Sequence, residues 1–246
     1  GGLVVEASSG NTAISVAWVG RLLGYDVCVV VEERTAPSKI ALLKALGAEV
    51  VVAPSVGPDH PMHFKRLARR IAEERGGVYL NQFENEANVR AHYETTAREI
   101  WEQTGGAVDA FVMGVGTSGT ITGVGKFLKE RKPECKIVAV VPKGAALAGG
   151  GGGEHIEGLA EHEVPPLFED DVVDEVREIP ARRAVEYMIK LAREEGVLGG
   201  MSTGAHVAAA LDLAKELGEG ATVVTVAADS AFRYVHLIRE ALGRVP

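Results

Sequence analysis

The sequence predicts an α/β protein in which short, mostly parallel strands alternate with helices and form two lobes. Short continuous apolar runs, typical of strands buried on both faces, recur along the chain. Segments with helical apolar spacing separate these runs, and glycines or prolines mark where those segments begin or end. Because strands and helices alternate, parallel sheets with helices on both faces are expected.

The first part of the chain alternates four predicted strands with four predicted helices. Ile14, Ala17 and Leu22 have helical spacing, Pro37 opens the second helix, and Gly47 closes it. In order, the segments are LVVEA, SGNTAISVAWVGRLLGY, DVCVVVE, PSKIALLKALG, AEVVVAP, a helix over 60–75, GVYLNQF, and the long helix EANVRAHYETTAREIWEQTGG.

The second part repeats the pattern, with a glycine-rich loop inserted after its second strand. The predicted segments are the strand DAFVMGVG, the helix TITGVGKFLKERKP, the strand KIVAVVP, the loop GAALAGGGGGEHIEGL, the strand DEVREI, the helix ARRAVEYMIKLAREEG, the loop GGMSTG, the helix AHVAAALDLAKELG and the strand ATVVTVAA. A boundary near residues 85–106 predicts a smaller lobe over 1–86 and a larger lobe over 87–246. The cleft between them is the expected ligand site.

Composition narrows the classes of partner. The 246 residues have a formal net charge of −8, which disfavours binding to nucleic acid or anionic membranes. No apolar run approaches the length of a membrane span and no signal peptide opens the chain, so a cytoplasmic protein is expected. Cys28 and Cys135 lie in or beside apolar runs without metal-ligand spacing, which favours buried thiols and no metal site.

Four loops are rich in Gly, Ser and Thr and lie at strand ends or helix starts, where backbone N–H groups favour negative charge. Any one of them could be ordinary turn or capping chemistry, but four in one parallel α/β chain favour anion binding. They are Ser8-Ser9-Gly10-Asn11-Thr12, the loop 114–120, Ser202-Thr203-Gly204 and Asp229-Ser230.

The loop 114–120 also matches the dinucleotide fingerprint G-x-G-x-x-G. That fingerprint requires an acidic residue at the end of the next strand, and here the strand runs into Lys143. The hydroxyls of Thr117, Ser118 and Thr120 suit a single phosphate better than a pyrophosphate. An NAD-binding dehydrogenase is therefore a minor alternative, which NADH binding would test.

Other chemistry-bearing residues lack partners in the sequence. His60, His63 and His92 fall on predicted helices and are interpreted as packed or solvated, and His155 is the histidine expected near the cleft. Ser9 lacks the G-x-S-x-G elbow of a hydrolase nucleophile.

Taken together, these motifs resemble the fold-type II pyridoxal-phosphate (PLP) enzymes, a tryptophan synthase β-like fold, and most closely the cysteine synthase and cystathionine β-synthase branch. The resemblance covers nearly the whole chain. It is carried by SSGNTAIS, LLKALGAEVV, NQFENEANVRAHYETTAREIWEQTGG, GVGTSGTITGVGKFLKE, EEGVLGGMSTGAHVAAAL and ADSAFRY.

The resemblance implies a role for each matching residue. The cofactor phosphate would be held by Gly116, Thr117, Ser118, Gly119 and Thr120. Asn11 would bind the cofactor's 3′-oxygen, and Ser230 would contact its pyridine nitrogen and leave the ring unprotonated. The substrate α-carboxylate would be bound by Ser8, Ser9, Gly10, Thr12 and Gln82. Part of a substrate-gating loop would lie near Gly158.

The resemblance also requires a lysine that forms the Schiff base with the cofactor. In the family it lies upstream of the S-G-N-T loop, and this chain opens with Gly1-Gly2 already inside a predicted strand. We therefore expect that the lysine-bearing segment is missing, that no catalytic residue lies in the chain, and that the chain alone is inactive. Lys143 is the least implausible substitute.

The expected activity is β-replacement on O-acetylserine or O-phosphoserine with sulfide, giving cysteine. Two alternatives remain open: cystathionine β-synthase-type activity, or a non-catalytic relative that binds PLP or an amino acid. The resemblance further implies a homodimer and allows a serine acetyltransferase as partner.

Overall fold

A computed structural model describes residues 1–243. The chain divides into two compact units, unit 1 (Gly1–Asn85) and unit 2 (from Glu86 onward). Each unit contains one sheet of four parallel strands, which confirms the predicted α/β class.

Unit 1 is built around the sheet order β3-β2-β1-β4. Its elements are β1 (Leu3–Ala7), α1 (Asn11–Leu22), β2 (Asp26–Glu32), α2 (Pro37–Ala45), β3 (Glu49–Ala53), α3 (Phe64–Arg75) and β4 (Val78–Tyr79). Successive strand residues point to opposite faces. Val5 and Cys28 therefore pack with Leu67 of α3 on one face, and Val29 packs with Ala17 of α1 on the other.

Unit 2 has the sheet order β7-β6-β5-β8. Its elements are α4 (Ala87–Ala91), a π-helical turn (His92–Thr96), α5 (Ala97–Thr104), β5 (Ala110–Gly114), α6 (Gly119–Arg131), β6 (Lys136–Pro142), a 3-10 turn (Ala146–Ala148), β7 (Glu175–Ile179), α7 (Ala181–Glu195), α8 (Met201–Leu217), β8 (Val223–Val224), a 3-10 turn (Ala231–Tyr234) and α9 (Val235–Ala241). Phe111 packs with α6 on one face, and Val112 packs with α7 and α8 on the other.

Several predicted boundaries were wrong. The helix expected over 60–75 begins at Phe64, because the backbone of His63 is extended (ψ 136°) and its N–H donates to the carbonyl of His60 in a turn. The predicted long helix ending at Gly105-Gly106 contains the π turn. Ser202, Thr203 and Gly204 form the first turn of α8 instead of a loop, and α9 was not predicted.

Two further features of residues 1–243 bear on function. None of the described helices is long and apolar enough to cross a membrane, and no described group of three His, Cys, Asp or Glu side chains is arranged to hold a metal ion. Cys28 and Cys135 are buried free thiols, as expected, and burial raises the pKa of each to about 11.

Candidate active site

The Ser-Ser-Gly-Asn-Thr loop of unit 1 joins β1 to the start of α1. The Oγ of Ser8 accepts hydrogen bonds from the N–H groups of Gly10 (3.2 Å) and Ala13 (3.3 Å). The Oγ of Ser9 accepts from the N–H of Glu32 (3.0 Å) and the hydroxyl of Thr35 (2.8 Å). Because each serine oxygen already accepts twice, its own proton is the part of the hydroxyl left to donate to an anion.

Gln82 joins this loop from the carboxyl end of β4. Thr12 Oγ1 donates to Gln82 Oε1 (2.7 Å), and Gln82 Nε2 donates to the carbonyl of Ala7 (3.2 Å). β1 and β4 are parallel neighbours, so their carboxyl ends meet at one edge of the sheet. The structure thus brings together Thr12 and Gln82, which lie 70 positions apart. Asn11 is exposed and is the first residue of α1.

Glu6, in β1 just before this loop, was given no role by the sequence. Its side chain is fully buried, Oε1 accepts from the N–H of Ala7 (2.8 Å), and Oε2 has no hydrogen-bond partner among the described residues. Burial raises the pKa of Glu6 to about 7, and hydrogen bonds from the backbone of Ala7 and Gln82 oppose that rise.

The second candidate loop lies in unit 2 between β5 and α6 and comprises residues 116–120. Ser118 has a left-handed φ of 73°, and its buried Oγ has no partner within the described part of the chain. A Cβ on Gly116 would lie 2.5 Å from the carbonyl oxygen of Gly158, so the backbones approach too closely for a side chain. A buried hydroxyl without a partner in the described residues, a glycine backbone with no room for a side chain and a helix N-terminus together fit a phosphate.

Asn88 of α4 and His92 of the π turn that follows α4 form hydrogen bonds with side chains of this loop. Asn88 Nδ2 donates to Thr117 Oγ1 (2.8 Å), and His92 Nε2 lies 3.1 Å from Thr120 Oγ1. His92 was interpreted as a packed or solvated helix histidine, and it is half-buried against the loop, where burial lowers its pKa. Sequence reasoning gave Asn88 and His92 no role, and their spacing of four along one helix was the available signal.

Ser230 lies in the segment between the end of β8 (Val223–Val224) and the 3-10 turn that begins at Ala231. It pairs with Gly199 in an isolated antiparallel bridge, and its Oγ accepts from the N–H of Phe232 (3.4 Å). In the same unit, His206 donates from Nδ1 to the carbonyl of Val226 (3.1 Å). Burial lowers the pKa of His206 to about 4, so its imidazole is neutral.

Two weaker candidates lie on the surface. His155 is mostly exposed and its Nδ1 lies 2.5 Å from Glu161 Oε1. Lys143, directly after β6, is exposed, and its backbone N–H donates to the carbonyl of Ile179 (3.1 Å).

Two α/β units, each with a parallel sheet, and a loop suited to phosphate at the start of a helix are typical of an enzyme that uses a phosphorylated cofactor. The model of the family described as "Pyridoxal-phosphate dependent enzyme" matches residues 1–229, and the chain belongs to that family. Its cofactor is therefore pyridoxal phosphate.

Individual proteins similar to this chain indicate the branch of the family more narrowly. The chain is 40% identical over 238 residues to a cysteine synthase of Staphylococcus aureus, covering 96% of the chain and 76% of that protein. It is 38% identical over 248 residues to cysteine synthase 1 of Emericella nidulans, covering 95% of the chain and 67% of that protein. The crystal structure of an O-ureido-L-serine synthase matches with a TM-score of 0.91 at 34% identity, covering 100% of the chain and 78% of that structure.

Proposed function

We propose that the protein catalyses β-replacement on an O-activated L-serine, with O-acetyl-L-serine preferred and sulfide as nucleophile, giving L-cysteine. The observation that carries the proposal is the hydroxyl-rich loop 8–12 with Thr12 bonded to Gln82. It supplies donors for an amino-acid carboxylate in a chain about 40% identical to a cysteine synthase.

Within unit 2 the proposal assigns the cofactor phosphate to Gly116, Thr117, Ser118, Gly119 and Thr120. The N-terminus of the 13-residue helix α6 begins at Gly119 and favours negative charge there. Ser230 would face the cofactor's ring nitrogen, and its neutral hydroxyl would leave that nitrogen without a proton. When bound, pyridoxal phosphate supplies an electron sink for breaking the bond between Cβ and its oxygen substituent.

Within unit 1 the proposal assigns binding and orientation. The hydroxyl protons of Ser8 and Ser9 and the amide of Gln82 would hold the substrate carboxylate. Gly10 and Thr12 would complete this site by orienting those donors, since the Gly10 N–H donates to Ser8 Oγ and the Thr12 hydroxyl donates to Gln82 Oε1. Asn11 would hold the cofactor's 3′-oxygen. A carboxylate held by several neutral donors keeps its charge without a cationic partner. Orientation of this kind lowers the activation barrier of a reaction between two bound groups by a large amount.

The remaining role is the lysine that binds the cofactor and moves the α-proton. In the family that the chain resembles, the Schiff-base lysine lies in a Ser-x-Lys-Asp-Arg sequence. We propose that no lysine of residues 1–246 has this role, because none lies in such a sequence. Borohydride reduction of the PLP-loaded full-length protein followed by peptide mapping tests this directly. A reduced phosphopyridoxyl group on Lys143 or another lysine of these residues would contradict it.

The substrate is tested by steady-state kinetics with sulfide and, in turn, O-acetyl-L-serine, O-phospho-L-serine and L-serine. We expect the highest kcat/KM for O-acetyl-L-serine. The variant Gln82→Leu removes one proposed donor to the substrate carboxylate. We expect it to raise the KM for the amino acid by about tenfold, because a hydrogen bond to a charged group contributes roughly 1.5–3 kcal/mol. Full PLP binding without turnover on any of these substrates would favour a non-catalytic relative.

A second candidate uses the same site with another nucleophile. The similarity to an O-ureido-L-serine synthase supports hydroxyurea in place of sulfide, since its oxygen would give O-ureido-L-serine by the same replacement. Competition between sulfide and hydroxyurea for one pool of O-acetyl-L-serine, read by mass spectrometry, separates the two candidates. Homocysteine in the same assay tests cystathionine formation.

A further inference from the structure

α4 and the π turn that follows it pack tightly against the loop 116–120 and the first turns of α6. A Cβ on Gly119 would lie 2.0 Å from Asn88 Oδ1, and a Cβ on Gly123 would lie 2.4 Å from the carbonyl oxygen of Val89. The π turn begins at His92, and such single turns recur at functional sites. This packing holds Asn88 and His92 against the hydroxyls of the loop.

The hydrogen bonds of Thr117 determine where its proton can go. Its Oγ1 accepts from Asn88 Nδ2 (2.8 Å) and from the N–H of Gly119 (3.4 Å). A hydroxyl oxygen has two acceptor sites, so both are used here. The O–H of Thr117 can then act only as a donor, which suits an anion at the loop.

The hydrogen bonds of Thr120 depend on the tautomer of His92. Burial lowers the pKa of His92, so the ring is neutral and carries its proton on one nitrogen. Nε2 lies 3.1 Å from Thr120 Oγ1, and Nδ1 lies 3.0 Å from Thr96 Oγ1. Among the described residues, His92 is the hydrogen-bond partner of both hydroxyls.

The two tautomers differ in what they leave unpaired. With the proton on Nδ1, Thr120 must donate to Nε2 and the O–H of Thr96 has no acceptor. With the proton on Nε2, Thr96 donates to Nδ1, the ring donates to Thr120, and the O–H of Thr120 is available to a phosphate. Only the second arrangement gives every one of these donors a partner in the protein or at the anion. Thr96 and Thr120 are half-buried, and a donor left without a partner there is unfavourable.

We propose that Asn88 and His92 are positioning residues that direct the hydroxyl protons of Thr117 and Thr120 at the cofactor phosphate, with His92 held in the Nε2–H tautomer by Thr96. The inference rests on the assignment of the loop 116–120 to that phosphate, and it does not depend on which serine derivative is the substrate.

The affinity of the full-length protein for PLP, compared with its affinity for pyridoxal, tests the proposal. Pyridoxal lacks the phosphate, so a residue that acts through the phosphate changes only the first value. We expect His92→Leu to raise the Kd for PLP by about tenfold, in line with one hydrogen bond to a charged group, and to leave pyridoxal binding unchanged. His92→Gln, whose amide can donate from the position of Nε2, should stay within about twofold of the wild type. Equal losses for PLP and pyridoxal would mean a structural role only and would overturn the proposal.

The tautomer is tested without any variant. Nitrogen-15 NMR of histidine-labelled wild-type protein distinguishes protonated from unprotonated ring nitrogens, and we expect the proton of His92 on Nε2 in the PLP complex. A proton on Nδ1 would overturn the proposal. In Thr96→Val, which removes the donor to Nδ1 at nearly constant volume, we expect the Nδ1–H form to appear. Both measurements are independent of turnover, so absence of cysteine formation would overturn the proposed function and leave this inference standing.

Discussion

The carboxyl of Glu6 is fully buried, and its pKa is raised to about 7. Between about pH 4.5 and 7 the folded protein therefore keeps a proton that the unfolded chain has released. The free energy of unfolding must fall as the pH rises through this window. His206 acts in the opposite direction, because its lowered pKa of about 4 removes stability as the pH falls below 6.5.

Glu6→Gln should separate these two effects. The variant cannot ionise, whereas His206 is present in both proteins and cancels in the comparison. We expect the stability of the variant relative to the wild type to increase by roughly 3 kcal/mol between about pH 4.5 and about pH 8. Urea unfolding at several pH values measures this difference, and parallel curves for the two proteins would contradict it.

At the scale of elements, α7 and α8 make a contact that has no room for a side chain. A Cβ on Gly204 of α8 would lie 2.0 Å from the carbonyl oxygen of Ala184 and 2.7 Å from the backbone nitrogen of Met188. Backbone atoms cannot move aside without shifting a helix. A Cβ on Gly125 of α6 instead meets a methyl of Val172 at 2.4 Å, and a side chain can rotate away.

Gly204→Ala should therefore destabilise unit 2 by about 3 kcal/mol, the upper part of the range for overpacking. Gly125→Ala is the matched control, since both changes gain the same helix propensity, and it should lower stability by about 1 kcal/mol or less. Urea unfolding of both variants measures the contrast. Equal losses would show that α7 and α8 can separate at no greater cost than one side-chain rotation.

Local signals predicted most elements because they act within one segment. Pro37 at the start of α2 and the left-handed Gly76 and Gly105 at helix ends work through their own backbone. Features that depend on distant contacts were missed. Ser202 and Thr203 favour turns locally, yet they are buried in the first turn of α8 by packing.

The same limit applies to the candidate site. Both loops of Gly, Ser and Thr were singled out from the sequence because residues that favour turns and anion binding cluster there. The hydrogen bond between Thr12 and Gln82 was not predicted. The family resemblance implied only that both residues bind the substrate carboxylate, and nothing local connects residues 70 positions apart. Asn88 and His92 went unassigned because their partners are created by the close packing of α6.

At the scale of the whole molecule, the chain has separate cores in its two units, and the proposed roles divide between them. We assign phosphate binding to unit 2 and carboxylate binding to unit 1. The cofactor's 3′-oxygen is assigned to Asn11 of unit 1. Inorganic phosphate and PLP should therefore protect different sets of backbone amides from hydrogen exchange.

Hydrogen exchange resolved by peptide tests this division. At a ligand concentration of about 100 times Kd, local opening of a bound segment should slow by about 100-fold, equivalent to about 2.7 kcal/mol. We expect inorganic phosphate to protect the loop 116–120 alone. PLP should protect that loop and also the start of α1, because the 3′-oxygen is assigned to Asn11. Asn11→Ala, an exposed position on α1, should abolish the second effect and leave the first unchanged. Protection by PLP confined to unit 2 in the wild type would remove Asn11 from the cofactor site, because a contact that forms only with the bound cofactor must slow exchange where it forms.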